Sequence, residues 1–348
     1  MNTKRWSVDK NVDNSVSYPQ ITQAADLLIK NEVVAFPTET VYGLGGNAEN
    51  SEAVGKIFAA KGRPSDNPLI IHIAEEHQLY DFVEDISDGA RLLIKEFWPG
   101  PLTLIFKRKE GTLSELATAG LSTVAVRMPD HPVALALLKE CGLPIAAPSA
   151  NRSGKPSPTT AEHVWEDLNG RIAGIVDGGP TGVGVESTVL DCTEPIPVIL
   201  RPGAVTKEQL EAVIGGVSVD AALADASQAP KSPGMKYRHY APDAPLYLVD
   251  GSREFIQSLV DKQKAEGHKV GVITTEENQS FYQADYVITC GQRQHLETVA
   301  AYLYEALRTF NNTQADIIYS EMFPNEGVGV AIMNRLMKAA GHRVISRD

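Results

Sequence analysis

The chain has 348 residues, 43% hydrophobic and 22% charged, with a formal net charge of -12. That is globular composition at a length that predicts two domains, and no apolar run is long enough to cross a membrane as a helix. Residues 1–230 carry 19 Lys and Arg against 30 Asp and Glu, and residues 231–348 carry 13 against 14, so neither part has the basic face of a protein that grips nucleic acid chiefly by its phosphates.

Residues 1–18 are polar and mixed in charge, without the apolar stretch of a signal peptide. Val33–Phe36 predicts a β-branched strand running into the turn Pro37-Thr38-Glu39-Thr40. Gly43-Leu44-Gly45-Gly46-Asn47-Ala48 fits the dinucleotide fingerprint G-x-G-x-x-A. The strand ends seven residues too early and the next helix starts too late for that motif. Glycines admitting a close backbone approach near a ligand are the better reading, and no nicotinamide or flavin is expected. Ser51 reads as the N-cap of a helix to Ala60, with Val54, Ile57 and Phe58 on one face.

Lys61-Gly62-Arg63-Pro64-Ser65-Asp66-Asn67-Pro68 then leads into a buried strand, Leu69–Ile73, carrying His72. Lys61 and Arg63 could simply complement the helix dipole. That leaves Asn67 and His72 unexplained, whereas a phosphate-bearing ligand uses cations for charge and an amide for orientation. A helix over 87–97 is broken by Trp98-Pro99-Gly100-Pro101. Strands Leu102–Phe106 and Val124–Arg127, a helix His131–Glu140 and a short strand Ile145–Ala147 follow. The loop from Pro148 to Thr159 offers Ser149, Asn151 and Ser157 as hydrogen-bonding groups, with Arg152 and Lys155 beside them. Further strands are expected at Ile172–Val176, Ser187–Asp191 and Val198–Arg201, the last placing Arg201 at a sheet end, where ligands bind. Strands and helices mix without strict alternation, which predicts α/β with a mixed, twisted sheet.

Residues 221–245 read as a linker by their Pro and Gly content, although Met235-Lys236-Tyr237-Arg238-His239-Tyr240 is unusually functional for one. Beyond it, strands at 246–249, 270–274, 286–289 and 317–319 alternate with helices at 253–265, 296–310 and 328–340. This is the pattern of a small doubly wound, Rossmann-like domain. Cys141, Cys192 and Cys290 are too scattered for a disulfide framework or zinc site and fit a reducing cytoplasm. There is no P-loop, no G-x-S-x-G elbow and no H-E-x-x-H. Glu39 and Asp66 could hold magnesium or equally be solvated carboxylates; the sequence does not fix metal ligands.

Taken together, Pro37-Thr38-Glu39-Thr40-Val41-Tyr42-Gly43, Lys61-Gly62-Arg63-Pro64, Ser122–Pro129, Ala147–Gly154, Glu186-Ser187-Thr188-Val189, Leu200-Arg201-Pro202-Gly203 and the linker Ser232–Pro242 resemble the YrdC-like family. The likeness is closer to its longer, two-domain members, the threonylcarbamoyl-AMP synthases. It implies a YrdC-like twisted-sheet domain over 1–220, a linker and active-site lid over 221–245, and a C-terminal Rossmann-like domain over 246–348. It also implies a reaction of L-threonine, bicarbonate and ATP, with magnesium accompanying ATP. The product would pass to a tRNA threonylcarbamoyltransferase complex that modifies the adenosine beside the anticodon in tRNAs reading codons that start with A. Carried over by position, the threonine pocket is Thr40, His72, Arg127, Ala147 and Ser187. The ATP site is Lys61, Arg63, Asn67, Thr123, Ser149, Ser157, Arg201 and a linker tyrosine, Tyr237 before Tyr240.

Two other readings compete. An RNA-binding module without catalysis is disfavoured by the acidic first part, although weak RNA binding is compatible with the family. A carbamoyl transferase of hydrogenase maturation would resemble this chain over the first domain only, and would carry zinc-finger cysteines that the chain lacks.

Overall fold

The structure, a computed structural model, describes residues 2–9, 18–224 and 240–347. They divide into two units. The first takes the chain up to Ser153, then Pro158–Gly182 and the segment from Glu186. The second takes Gly154–Ser157, Val183–Val185 and the described residues from Tyr240. Most of the expected lid, including Tyr237, lies outside the described residues.

The first unit is built on an eleven-stranded mixed sheet. Its order is Lys4–Ser7, Gly174–Asp177, Val34–Phe36, Gly43–Asn47, Ile145–Ala146, Ile70–His72, Thr123–Arg127, Leu102–Lys107, Thr188–Asp191, Val198–Arg201 and Ser218–Val219. One face carries the main core, where Ile71, Leu104, Val126, Leu190 and Ile199 meet Val54, Ile57, Leu93 and Leu210 from helices Ser51–Lys61, Asp88–Phe97 and Lys207–Ile214. On the other face, helices Pro19–Ile29 and Pro132–Cys141 pack over one end, against Val34, Phe36, Ile145 and Val176. At the opposite end that face holds a small cluster of Ile105, Ala125, Val189 and Leu200 with Ile70 and Val198, all of them strand residues.

Two local expectations change. The cap of the helix at 51 is Asn50, whose side chain accepts from the Ala53 amide at 2.9 Å; Ser51 instead shares a hydrogen bond with Ser114. The run Gly43–Asn47 is a strand, paired antiparallel with Val34–Phe36. A Cβ at Gly45 would lie 2.8 Å from the Phe36 ring and 2.9 Å from Ile145, so this glycine makes room for core side chains rather than for a ligand.

The second unit is a five-stranded sheet in which every pairing is parallel, in the order Tyr286–Thr289, Val270–Thr274, Ile317–Glu321, Leu246–Asp250, Val344–Ser346. Helix Arg253–Ala265 lays Ile256 and Val260 on Val270, Val272 and Tyr319. At the carboxyl end of the central strand, Glu321 accepts from Thr274 (2.7 Å), Tyr282 (2.8 Å) and Asn278 (2.9 Å) and pairs with Arg293 at 2.6 Å. Burial alone would raise its carboxyl pKa; those donors together hold it below the usual range.

No described helix is long and apolar enough to cross a membrane. Cys141, Cys192 and Cys290 are free thiols; Cys141 and Cys290 are buried, and burial pushes the Cys192 and Cys290 thiols up to about 12.

Candidate active site

The strand registers show which predicted residues share a face. Ile70 pairs with Ala125 and His72 with Arg127. Ile105 lies opposite Ala125, Thr103 beside Val189, and Arg201 opposite Val189. Paired residues point to the same side of a sheet. His72, Arg127, Thr103 and Arg201 therefore stand around the apolar cluster on the face opposite the main core. Arg201 reaches it through a β-bulge: the register shifts between Ile199 and Arg201. Simple alternation would have sent Arg201 to the core side with Ile199. The bulge turns both Leu200 and Arg201 outward, a frequent device beside functional sites.

Arg127 is 4% exposed. Its Nε donates to the Gly100 carbonyl at 3.2 Å and its Nη1 to Thr40 Oγ1 at 2.8 Å. Its Nη2 lies 2.5 Å from Glu39 Oε2, in an ion pair whose angles do not make a hydrogen bond. The turn before it is held by Thr38, whose hydroxyl donates to Val41 O at 2.6 Å and accepts from the amides of Thr40 and Val41. With that proton committed, Thr40 Oγ1 donates to Thr38 Oγ1 (3.0 Å) and accepts from Arg127.

His72 is 3% exposed, with Nδ1 3.3 Å from the Ile70 carbonyl and its ring edge-on to Phe36. Burial, and then the Arg127 charge, lower its pKa to about 3. It is therefore a neutral imidazole at any physiological pH. Ser187 is fully buried at the start of its strand. Its Oγ lies 2.7 Å from Thr103 Oγ1 and accepts from Arg201 Nη2 at 3.1 Å, while Arg201 Nε donates to the Ser187 carbonyl. Gly203 makes this approach possible, since a Cβ there would fall 2.3 Å from the Thr188 amide nitrogen. Ala147 is buried beside the same strands, its amide bonded to Ile70 O at 2.9 Å.

Lys61 is 2% exposed, at the last turn of its helix. Its ammonium donates to the carbonyls of Ser149 and Asn151 and to the Asn151 amide oxygen. Ser149 Oγ in turn donates to Asn151 Oδ1 at 2.6 Å. Lys61 thus braces the serine-rich loop. Asn67 is buried and Arg63 and Thr123 are half-buried. Asn67 and Thr123 sit at the amino ends of the two parallel strands whose carboxyl ends carry His72 and Arg127. Four residues of strand separate Thr123 from Arg127, about 13 Å. Ser157 is buried and belongs to the second unit. Tyr240, also in that unit, is buried with its ring 5.1 Å from that of Tyr304.

Two site residues were not legible in advance. Thr103 could have been found as the one polar residue inside Leu102–Phe106. Glu39 was read as a solvated or metal-binding carboxylate; its side chain is 13% exposed and faces Arg127. Among the described residues no group of three or more His, Cys, Asp or Glu side chains is arranged to hold a metal ion.

A family model described as Telomere recombination, covering the Sua5, YciO and YrdC proteins, matches residues 26–203. A second, described as Threonylcarbamoyl-AMP synthase, C-terminal domain, matches residues 205–341. The chain is 64% identical to a threonylcarbamoyl-AMP synthase of Bacillus subtilis over 99% of its own length and 100% of that protein. It is 49% identical to the Pyrococcus abyssi protein of the same name, over 96% and 98% of the two chains. The solved structure of P. abyssi Sua5 complexed with L-threonine superposes with a TM-score of 0.92 at 48% identity, covering 99% of this chain and all of that one.

Proposed function

The chain belongs to the Sua5/YrdC family of threonylcarbamoyl-AMP synthases, and we infer from its site how it divides the work among L-threonine, bicarbonate and ATP. The protein is an adenylyl-transferring enzyme whose product, L-threonylcarbamoyladenylate, serves tRNA modification. The observation that carries the division is the sheet register. It pairs His72 with Arg127 at the carboxyl ends of two parallel strands; Thr123 begins the second strand and Asn67 stands three residues before the first.

At the first end Arg127 binds the threonine carboxylate, with Thr40, neutral His72, Ala147 and Ser187 around the amino acid. Its buried fork suits a carboxylate, which accepts two parallel N–H bonds. At the second end Arg63, Asn67, Thr123 and Ser149 hold the nucleotide, and Lys61 contributes by fixing the Ser149 loop. Arg201, anchored on Ser187, lies in the same row of the sheet as Arg127 and meets the nucleotide from there. The α-amine condenses with bicarbonate to a carbamate, losing water. A carbamate oxygen then attacks the α-phosphorus, the bond to the bridging oxygen breaks, and pyrophosphate leaves. Such a transfer needs alignment and charge neutralisation rather than a protein nucleophile, which accounts for the missing hydrolase motifs. Magnesium, if bound with ATP, would supply charge neutralisation during the transfer, which the chain's own cations Arg63 and Arg201 also provide. The acceptor of the product is a tRNA threonylcarbamoyltransferase complex.

Pyrophosphate release from ATP, measured with and without L-threonine and bicarbonate, tests this reading. Release should require both; release indifferent to threonine would refute it.

A further inference from the structure

The guanidinium assigned to the threonine carboxylate is already in contact with an acid. Glu39 Oε2 lies 2.5 Å from Arg127 Nη2, and neither carboxylate oxygen makes a hydrogen bond. The Glu39 backbone is held in place, its carbonyl accepting from the Gly182 amide at 3.1 Å. The other ionisable groups nearby are Asp130 and His131. Asp130 is pushed up by burial and by Glu39. His131 is drawn down by burial against the opposing pull of Glu39, and its Nδ1 is buried without a hydrogen-bond partner. None of these neighbours supplies Glu39 with a second cation.

We propose that Glu39 receives the α-ammonium group of the amino-acid substrate, so that the Arg127–Glu39 pair is a receptor for a zwitterion. This rests on the reading that Arg127 takes the carboxylate. The argument is one of charge. A buried pair is neutral, and so is a free amino acid. When the pair opens, the substrate carboxylate replaces Glu39 on Arg127 and the substrate ammonium replaces Arg127 on Glu39. One ion pair becomes two, and no net charge is buried. A carboxylate lacking the ammonium would leave Glu39 uncompensated beside a second negative charge. Glu39 thereby selects for an unsubstituted α-ammonium group, and its carboxylate can take the proton which that nitrogen must lose before the neutral amine attacks bicarbonate.

The test is calorimetric titration of the full chain with L-threonine, its deamino analogue 3-hydroxybutanoate, and L-threoninamide. The wild-type protein should prefer threonine to the deamino analogue by about tenfold to a hundredfold, as expected for the loss of one hydrogen bond to a charged group. In Glu39→Gln that ratio should collapse toward unity while ATP affinity stays within about twofold. Glu39→Asp should weaken threonine binding but keep the preference. If Glu39 only props up Arg127, Glu39→Gln weakens both ligands together and the ratio persists, which overturns the proposal. The Arg127 reading fails separately: it falls if Arg127→Lys leaves the preference for threonine over threoninamide unchanged.

Discussion

Removing Arg127 should cost the first unit stability by a route that a second substitution reverses. In Arg127→Met the hydrogen bonds to Gly100 and Thr40 vanish, and Glu39, 13% exposed, keeps its charge without a partner. Breaking a buried pair from one side costs about 3–5 kcal/mol, mostly the penalty of the stranded ion. For a domain of this size each kcal/mol moves the melting temperature by roughly 2–4 °C, so the variant should melt roughly 6–20 °C lower. The double variant Arg127→Met, Glu39→Gln strands no charge and should recover most of that loss, because apolar or neutral replacements of buried pairs are often close to neutral. Threonine binding should remain absent in both. Thermal unfolding followed by circular dichroism without ligands reads the stability, and titration calorimetry reads the binding. If the double variant melts no higher than Arg127→Met, the stranded-carboxylate account is wrong.

Lys61→Met should destabilise by about 2–4 kcal/mol, since charge-assisted hydrogen bonds to buried carbonyls are lost, and should raise the KM for ATP more than that for threonine. An unchanged KM for ATP would show that the Ser149 loop holds its shape without the brace. Gly203→Ala drives a Cβ into the Ser187 and Thr188 backbone, which no side-chain rotation relieves. Turnover should fall about a hundredfold for a displacement near 1 Å, and a wild-type rate would show that the backbone gives way harmlessly. Neutral His72 makes stability depend on pH. Its folded pKa of about 3 lies below the ordinary 6.5, so the unfolded chain binds a proton that the folded chain refuses. Stability is therefore fully present above pH 6.5 and falls as pH drops toward 3. Between pH 7 and 5 His72 alone removes about 2 kcal/mol. Urea unfolding of His72→Leu should show a pH slope shallower by that amount, and equal slopes would refute the assignment.

The second unit was legible because its strands and helices largely alternate along the chain and pack on one sheet. The residues that predict an element also place it, and helix Arg253–Ala265 and strands Val270–Thr274 and Tyr286–Thr289 fall where the pattern put them. The first unit is assembled from distant segments. Strand Lys4–Ser7 exists because it pairs with Gly174–Asp177, and nothing in four mixed residues announces that. Gly43–Asn47 gave no strand signal because its glycines contradict strand propensity; the Phe36 ring, which needs the space, decides otherwise. The site followed the same division. Thr40, Arg127 and Ser187 stand in the short motifs that carry the family resemblance, and were assigned through it. The facing of Arg201 depends on a bulge and the partnership of Glu39 on a contact across 88 positions, and neither leaves a periodic trace.

In the site proposed above, the floor is the apolar cluster of Ile70, Ile105, Ala125, Val189, Val198 and Leu200. Such a surface offers no hydrogen bond to a water molecule and lowers the local dielectric, which strengthens every charge pair above it. Carbamates revert to amine and carbon dioxide on protonation, and mixed anhydrides hydrolyse. For an enzyme whose intermediate and product both decay in water, these six aliphatic side chains set a lifetime: they govern how much of what is made survives to be handed on.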